Sequence, residues 1–159
     1  MSIRTRRTAD AAESAIEPAI GDAEYTQLLD FRDGIRRFLH WSEAQARSVG
    51  LTAAQHQLLL AIRGHRQAGP GDDAPMATQA PTIGDVAAHL LLRHHSAVEL
   101  VGRALAAGLI EKIADDDDHR IVRLRLSADG ERRLAALSHQ HLEELRRLAP
   151  RLRPLWAGL

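Results

Sequence analysis

The chain has 159 residues, 21 Lys/Arg against 21 Asp/Glu, 45% hydrophobic residues and only 3% aromatic ones. That length suits a single domain with its own core, built from Leu, Ala, Ile and Val rather than from rings. The absence of cysteine excludes disulfides, thiolate metal sites and thiol redox sensing. No apolar run approaches the roughly 18 residues needed to span a membrane, and the N-terminus lacks the apolar stretch of a secretory signal. A cytoplasmic location without membrane attachment is expected. A formal net charge of zero is not the basic balance of a non-specific nucleic-acid binder.

Residues 1–22 carry Arg4, Arg6 and Arg7 but no sustained apolar face, and read as a disordered N-terminal arm. Those arginines can touch a DNA backbone or minor groove, although a solvated tail explains them as well. Residues 23–159 are expected to form a single domain. From Glu24 to about Val49, Leu28, Phe31, Ile35, Phe38, Leu39, Ser42 and Ala46 make one stripe on a long helix, with Tyr25 and Trp41 beside it. Leu51-Thr52-Ala53-Ala54-Gln55 is a capping-box helix start, and Leu58, Leu59 and Ile62 mark the buried side of the helix it opens, to about His65. Residues 66–81, with three Pro and two Gly, read as a long mobile loop, most simply a tolerated insertion.

Thr82-Ile83-Gly84-Asp85 opens another helix with an [ST]-x-x-[DE] start, followed by Val86, Ala87 and Leu90 at helical spacing. After a break near Leu92-Arg93, Ala97, Leu100, Val101 and Ala104 form the buried stripe of a further helix, which Gly108 stops. Leu109–Ala114 and Arg120–Leu126 read as two strands joined by Asp115-Asp116-Asp117-Asp118-His119. Val122, Leu124 and Leu126 alternate with Arg123 and Arg125, the mark of a half-buried ribbon. Asp115–Asp117 are read as a solvated turn. Ser127 caps a last long helix with Leu134, Leu137, His141, Leu145 and Leu148 on its apolar face. Pro150 ends or bends it, and Leu152, Leu155 and Trp156 form a short terminal helix.

Helix, turn, helix, two-stranded ribbon is the plan of a winged helix-turn-helix, here spanning about 51–126. The fold class is mainly α with a small β-wing (α+β). The helices at about 24–49 and 127–158 lie outside that module, and their apolar faces exceed what it can cover. Pairing with a second copy is the economical solution, so they are assigned as dimerisation helices of a homodimer.

The sequence resembles the MarR family of bacterial transcription regulators from about Glu24 to Trp156. The matching pieces, in order, are Leu51-Thr52-x-x-Gln55, Ile83-Gly84-Asp85-Val86-Ala87, His95-Ser96-Ala97-Val98, Gly108-Leu109-Ile110, Asp118-His119-Arg120 and Leu124-x-Leu126-Ser127-x-x-Gly130. The resemblance implies a triangular homodimer, two winged domains reaching adjacent major grooves of double-stranded DNA, and usually repression. It also implies release of DNA when a small, often aromatic or phenolic, effector binds between the dimer and DNA-binding parts. Asp118 and Arg120 match the family's Asp-x-Arg, whose carboxylate holds the arginine toward the minor groove. His119 stands where a second arginine is common.

With Ala97, Leu100, Val101 and Ala104 buried, the outer face of the recognition helix shows His94, His95, Ser96, Val98, Glu99, Gly102 and Arg103, preceded by Arg93. His and Ser hydrogen-bond bases or phosphates, Val98 can meet a thymine methyl, and Arg103 can take phosphate. Glu99 is expected to pair with Arg103 at i+4, and Gly102 inside a helix suggests close approach by another backbone. The candidate DNA-binding residues are therefore Arg93, His94, His95, Ser96, Val98, Arg103, Asp118, His119 and Arg120. His40 and Trp41 are candidates for an effector cavity, though plain packing accounts for them too.

Two facts weigh against a simple reading. Residues 82–126 hold six Lys/Arg against seven Asp/Glu, so the segment is slightly acidic unless His89, His94, His95 and His119 protonate near phosphate. A winged helix used only as a protein–protein adaptor is therefore the alternative. Nine histidines invite a metal site, but no pair has ligand spacing with a nearby carboxylate, and none is assigned. There is no nucleophile elbow or Gly-rich phosphate loop, so neither catalytic residues nor a cofactor are expected.

Overall fold

In a computed structural model of the chain, which describes residues 20–65, 80–115 and 118–152, five helices and one two-stranded sheet are found. In chain order they are α1 (Asp22–Ser48), α2 (Ala53–Arg63), α3 (Ile83–His89), α4 (His94–Ala106), β1 (Ile110–Ala114), β2 (Val122–Leu126) and α5 (Ala128–Leu152). The expected arm at 1–22, the loop interior and the terminal helix at 152–158 fall largely outside the described residues. α5 itself continues past Pro150 to Leu152.

The helix starts follow their sequence signals. The Gln55 N–H donates to Thr52 Oγ1 at 3.1 Å and the Thr52 N–H donates to Gln55 Oε1 at 2.9 Å, which satisfies two of the N–H groups that a helix start leaves open. Thr82 and Asp85 repeat the device at α3, at 3.2 and 2.8 Å. Burial opposes ionisation of Asp85. The Thr82 donors, aided by nearby His65 and Arg123, outweigh it and hold the carboxyl below its usual range.

One core joins the elements. Leu58, Leu59 and Ile62 of α2 pack with Val86, Leu100, Val101, Leu109 and Leu124 of the winged module, and with Leu134 and Leu137 of α5. A fully buried leucine contributes roughly 1.5–3 kcal/mol, so this cluster fixes how α3 and α4 sit on α2. β1 and β2 are antiparallel, with Ile110 opposite Leu126, Lys112 opposite Leu124 and Ala114 opposite Val122. The chain entering α3 adds a third rung: the Leu124 N–H donates to Pro81 O at 2.8 Å, and Thr82 bridges Arg123.

Two expectations fail at the ribbon. Arg123, expected on the wet side, is buried while Val122 is exposed. Asp115, read as part of a solvated turn, is also buried and forms an ion pair with Arg123 Nε. The cause is non-local. Arg123 Nη1 donates to Ala80 O at 2.7 Å, and Asp115 Oδ1 accepts from the Asp118 N–H at 3.0 Å. One carboxylate–guanidinium pair thus ties the loop end of the ribbon to the entry of α3. Asp116 and Asp117 lie outside the described residues.

The Ser127 hydroxyl donates to Gly108 O at 2.6 Å and accepts from the Gly130 N–H at 3.1 Å. A Cβ on Gly130 would lie 2.1 Å from Leu109 O, so only glycine permits this approach of α5 to the ribbon. On α1 and α5, by contrast, Leu28, Leu29, Leu39, Leu142 and Leu145 are exposed in the single chain.

Candidate nucleic-acid interface

α3 ends in a turn through Leu90, Leu91 and Leu92, where the Leu91 N–H donates to Ala88 O at 3.2 Å and the Leu92 N–H to Ala87 O at 2.9 Å. Leu91 has a φ of 53° and is 94% exposed. Arg93 then caps α4 in extended geometry without a side-chain bond. Ala97, Leu100, Val101 and Ala104 are buried, as their spacing requires. Seven residues are left outward: His94, His95, Val98, Glu99, Gly102, Arg103 and Ala106 are exposed, and Ser96 is half-buried.

The structure therefore brings Arg93, His94, His95, Ser96, Val98 and Arg103 onto the N-cap and outer side of one helix. None of the four charged or imidazole side chains among them forms a hydrogen bond or ion pair with another described residue. The expected Glu99–Arg103 pair is not formed, so both groups face solvent. Nor does any backbone approach Gly102: a Cβ there would meet nothing within 4 Å. A helix-interior glycine costs about 1 kcal/mol relative to alanine, and no contact within the described chain offsets it.

At the ribbon tip, Asp118, His119 and Arg120 are exposed. Asp118 Oδ1 accepts from the Arg120 backbone N–H at 3.0 Å; the carboxylate shapes the turn rather than gripping the guanidinium. Pairing also redistributes the charge. Glu111 pairs with Arg125 at 2.7 Å, Asp115 with Arg123, and Asp85 serves the α3 cap. His89 turns to His65, with ring nitrogens 3.1 Å apart. Arg93, Arg103 and Arg120 remain as exposed guanidinium groups, with His94, His95 and His119 beside them.

Away from this face lies a histidine cluster that sequence reasoning missed. Ser42 Oγ is 2.6 Å from His141 Nε2, and His141 Nδ1 is 2.7 Å from Leu137 O. A carbonyl only accepts, so Nδ1 carries a proton and donates to Leu137 O, and Nε2 shares a hydrogen bond with the serine hydroxyl. The tilted ring of His56 of α2 packs 4.7 Å from the same ring, with Trp41 4.9 Å and Phe38 5.8 Å away. Burial and then the neighbouring His141 push the His56 imidazole below its usual value. A cavity of about 400 Å³ opens beside it, lined by Arg36, Leu39, His40, Ser42, Glu43, Ala53, His56 and Gln57. His40 belongs to that lining, whereas Trp41 packs on His141. No signal of local spacing marks His56 or His141 as partners, because their contact joins α2 to α5.

A family model described as MarR family matches residues 49–121, from the end of α1 to the ribbon tip. Over that segment the chain is similar to the MarR family. Solved structures share the fold over most of its length. A MarR family transcription regulator superposes with a TM-score of 0.65 at 19% identity, covering 81% of this chain and 77% of that one. AbsC, a MarR family transcriptional regulator from Streptomyces coelicolor, gives 0.62 at 16%, covering 87% and 95%. MepR from S. aureus, in a complex with DNA, gives 0.60 at 18%, covering 76% and 78%. No curated protein matches the sequence.

The α+β winged-helix architecture expected from the sequence is thus found, with the helix-turn-helix and β1 inside the matched segment and β2 just beyond it. Among the described residues, no group of three or more His, Asp or Glu side chains is placed to hold a metal ion. No described helix is long and apolar enough to cross a membrane.

Proposed function

We propose that this protein is a member of the MarR family and a sequence-specific DNA-binding transcriptional regulator that acts as a homodimer, most simply as a repressor. The observation that carries the reading is the outer face of α4. Its cations, imidazoles and Val98 are exposed and unpaired among the described residues, while its inner face is locked into the core. A helix so presented enters a major groove with its N-terminal residues at base edges. His94, His95, Ser96 and Val98 read bases, and Arg93 and Arg103 hold phosphates. His119 and Arg120 extend from the ribbon tip toward the adjacent minor groove, with Asp118 setting the turn beneath them.

The exposed leucines of α1 and α5 support pairing of two copies, since Leu28, Leu39, Leu142 and Leu145 are each 43–54% exposed in the single chain. A two-fold dimer reads an inverted repeat with half-sites roughly 34 Å apart. The cavity beside His40 and His56 sits between α1 and α2, and an aromatic or phenolic effector filling it would release DNA by shifting α2 against α1.

The test is binding to duplex DNA from upstream of the protein's own coding region, against a scrambled duplex, at two salt concentrations. We expect tight binding that prefers the upstream duplex and weakens as salt rises, from a species that sediments as a dimer. Equal, salt-insensitive affinity for both duplexes would overturn the reading and leave a winged-helix protein–protein adaptor in its place.

A further inference from the structure

His95, Glu99, Gly102 and Ala106 fall at i, i+4, i+7 and i+11, one straight line along the centre of the exposed side of α4. The side chains on that line shrink along the helix, from an imidazole and a carboxylate to a hydrogen and a methyl. The four residues do not share this shape with the buried stripe, where Ala97, Leu100, Val101 and Ala104 mix small and large without a trend.

Gly102 is the odd member. It lies inside a regular helix, outside the left-handed region, so its backbone geometry does not call for glycine. A Cβ there would enter open space, so packing within the chain does not call for it either. The other described glycines that carry a structural reason show what such a reason looks like: Gly50 and Gly108 have positive φ, and Gly130 has a carbonyl pressed against it. At Gly102 the helix gives up stability and bares its own backbone on the side that carries the unpaired cations.

We infer that Gly102 is a steric positioning residue for DNA. It lets the C-terminal half of α4 close onto a sugar–phosphate strand at the rim of the groove while His94, His95 and Val98 reach inward from the other end. Removing Cβ brings the helix surface down toward the radius of its Cα atoms, about 2.3 Å from the axis. The tapered line therefore tilts the helix, deep at its N-terminus and shallow at Gly102. Arg103, one position on and unpaired among the described residues, then meets the phosphate that Gly102 admits. This inference rests on the DNA-binding reading above.

The experiment compares wild type with Gly102→Ala and Gly102→Leu in thermal melting, sedimentation and binding to the upstream and scrambled duplexes. Gly102→Ala is expected to melt at higher temperature than wild type and yet bind the upstream duplex about tenfold more weakly, comparable to one mismatched base pair. Gly102→Leu should weaken it further, because the obstruction grows with the side chain. Sedimentation should not change. Unaltered or tighter binding by both variants, beside a wild type that discriminates the duplexes, would overturn the role of Gly102 while leaving the DNA reading intact. A change of oligomeric state in Gly102→Leu would overturn it too, since the open space would then belong to a protein contact. If the wild type itself shows no duplex preference, both readings fall together.

Discussion

α1, α3 and α4 end in the same turn, but not with the same residue. Gly50, Leu91 and Gly108 take φ values of 73°, 53° and 68° one position past the cap. In each case the next N–H reaches back to a carbonyl five residues earlier: Leu51 to Ala46, Leu92 to Ala87, Leu109 to Ala104, at 2.9, 2.9 and 3.0 Å. Glycine is the usual occupant because the left-handed region crowds a Cβ. The turns leading to α2 and to the ribbon have it; the turn between the two helices of the helix-turn-helix has an exposed leucine instead. The backbone is relaxed where α4 is anchored and strained where α4 is presented. Strain of this kind concentrates where a surface must meet a ligand in one orientation.

The anchored end should be the less forgiving of the two. Gly130→Ala places a methyl 2.1 Å from the Leu109 carbonyl oxygen, so α5 or the ribbon must move and the Ser127 bonds to Gly108 and Gly130 lengthen. Overpacking against backbone costs about 3 kcal/mol at the upper end of the usual range. Urea unfolding should show a loss of that order. A loss below about 0.5 kcal/mol, the scale of an ordinary surface substitution, would mean that this junction yields as easily as the exposed turn.

A second effect acts at the seam between α2 and the long helices, and it depends on pH. His56 is held neutral by burial and by His141, so its imidazole titrates lower in the fold than in the unfolded chain. Stability is then complete above the unfolded value, about 6.5, and falls as pH drops from there toward the folded value, because the unfolded chain takes up the proton first. Melting temperature should decline between pH 7.5 and 5.5 in wild type and decline less in His56→Gln. Parallel declines would assign the pH dependence to the other histidines.

The two kinds of turn also mark the limit of what the sequence discloses. Capping boxes at Thr52 and Thr82, the stop at Gly108 and the buried stripe of α4 are local patterns, and each is found where its spacing places it. Arg123 looked solvent-facing because alternation records only the ribbon's own pleat. Its partners, Asp115 and the Ala80 carbonyl, come from the turn and from 43 residues upstream. Ser42 and His141 meet across 99 residues, beyond the reach of any local spacing. Leu91 was hidden for a different reason. Nothing in Leu90-Leu91-Leu92 signals a left-handed residue, and the core that fixes α3 against α4 imposes it.

The smallest predicted effect is the one that bears most directly on the comparison. Leu91→Gly removes a side chain that is 94% exposed, so no packing is lost. It relieves a left-handed strain of roughly 1–2 kcal/mol, against an entropic cost of glycine of roughly 0.5–1 kcal/mol. A net gain of about 0.5 kcal/mol remains, on the order of 1–2 °C in melting temperature for a chain of this size. The mirror change, Gly108→Leu, introduces the same strain with open space around the new Cβ, and should lower stability by about the amount that Leu91 gives up. If Leu91→Gly instead destabilises, the leucine is held by contacts of its own, and the strained turn is structural. If it stabilises while operator affinity falls, the strain is what holds α4 in its DNA-ready orientation, and the relaxed glycine turn has let that orientation drift.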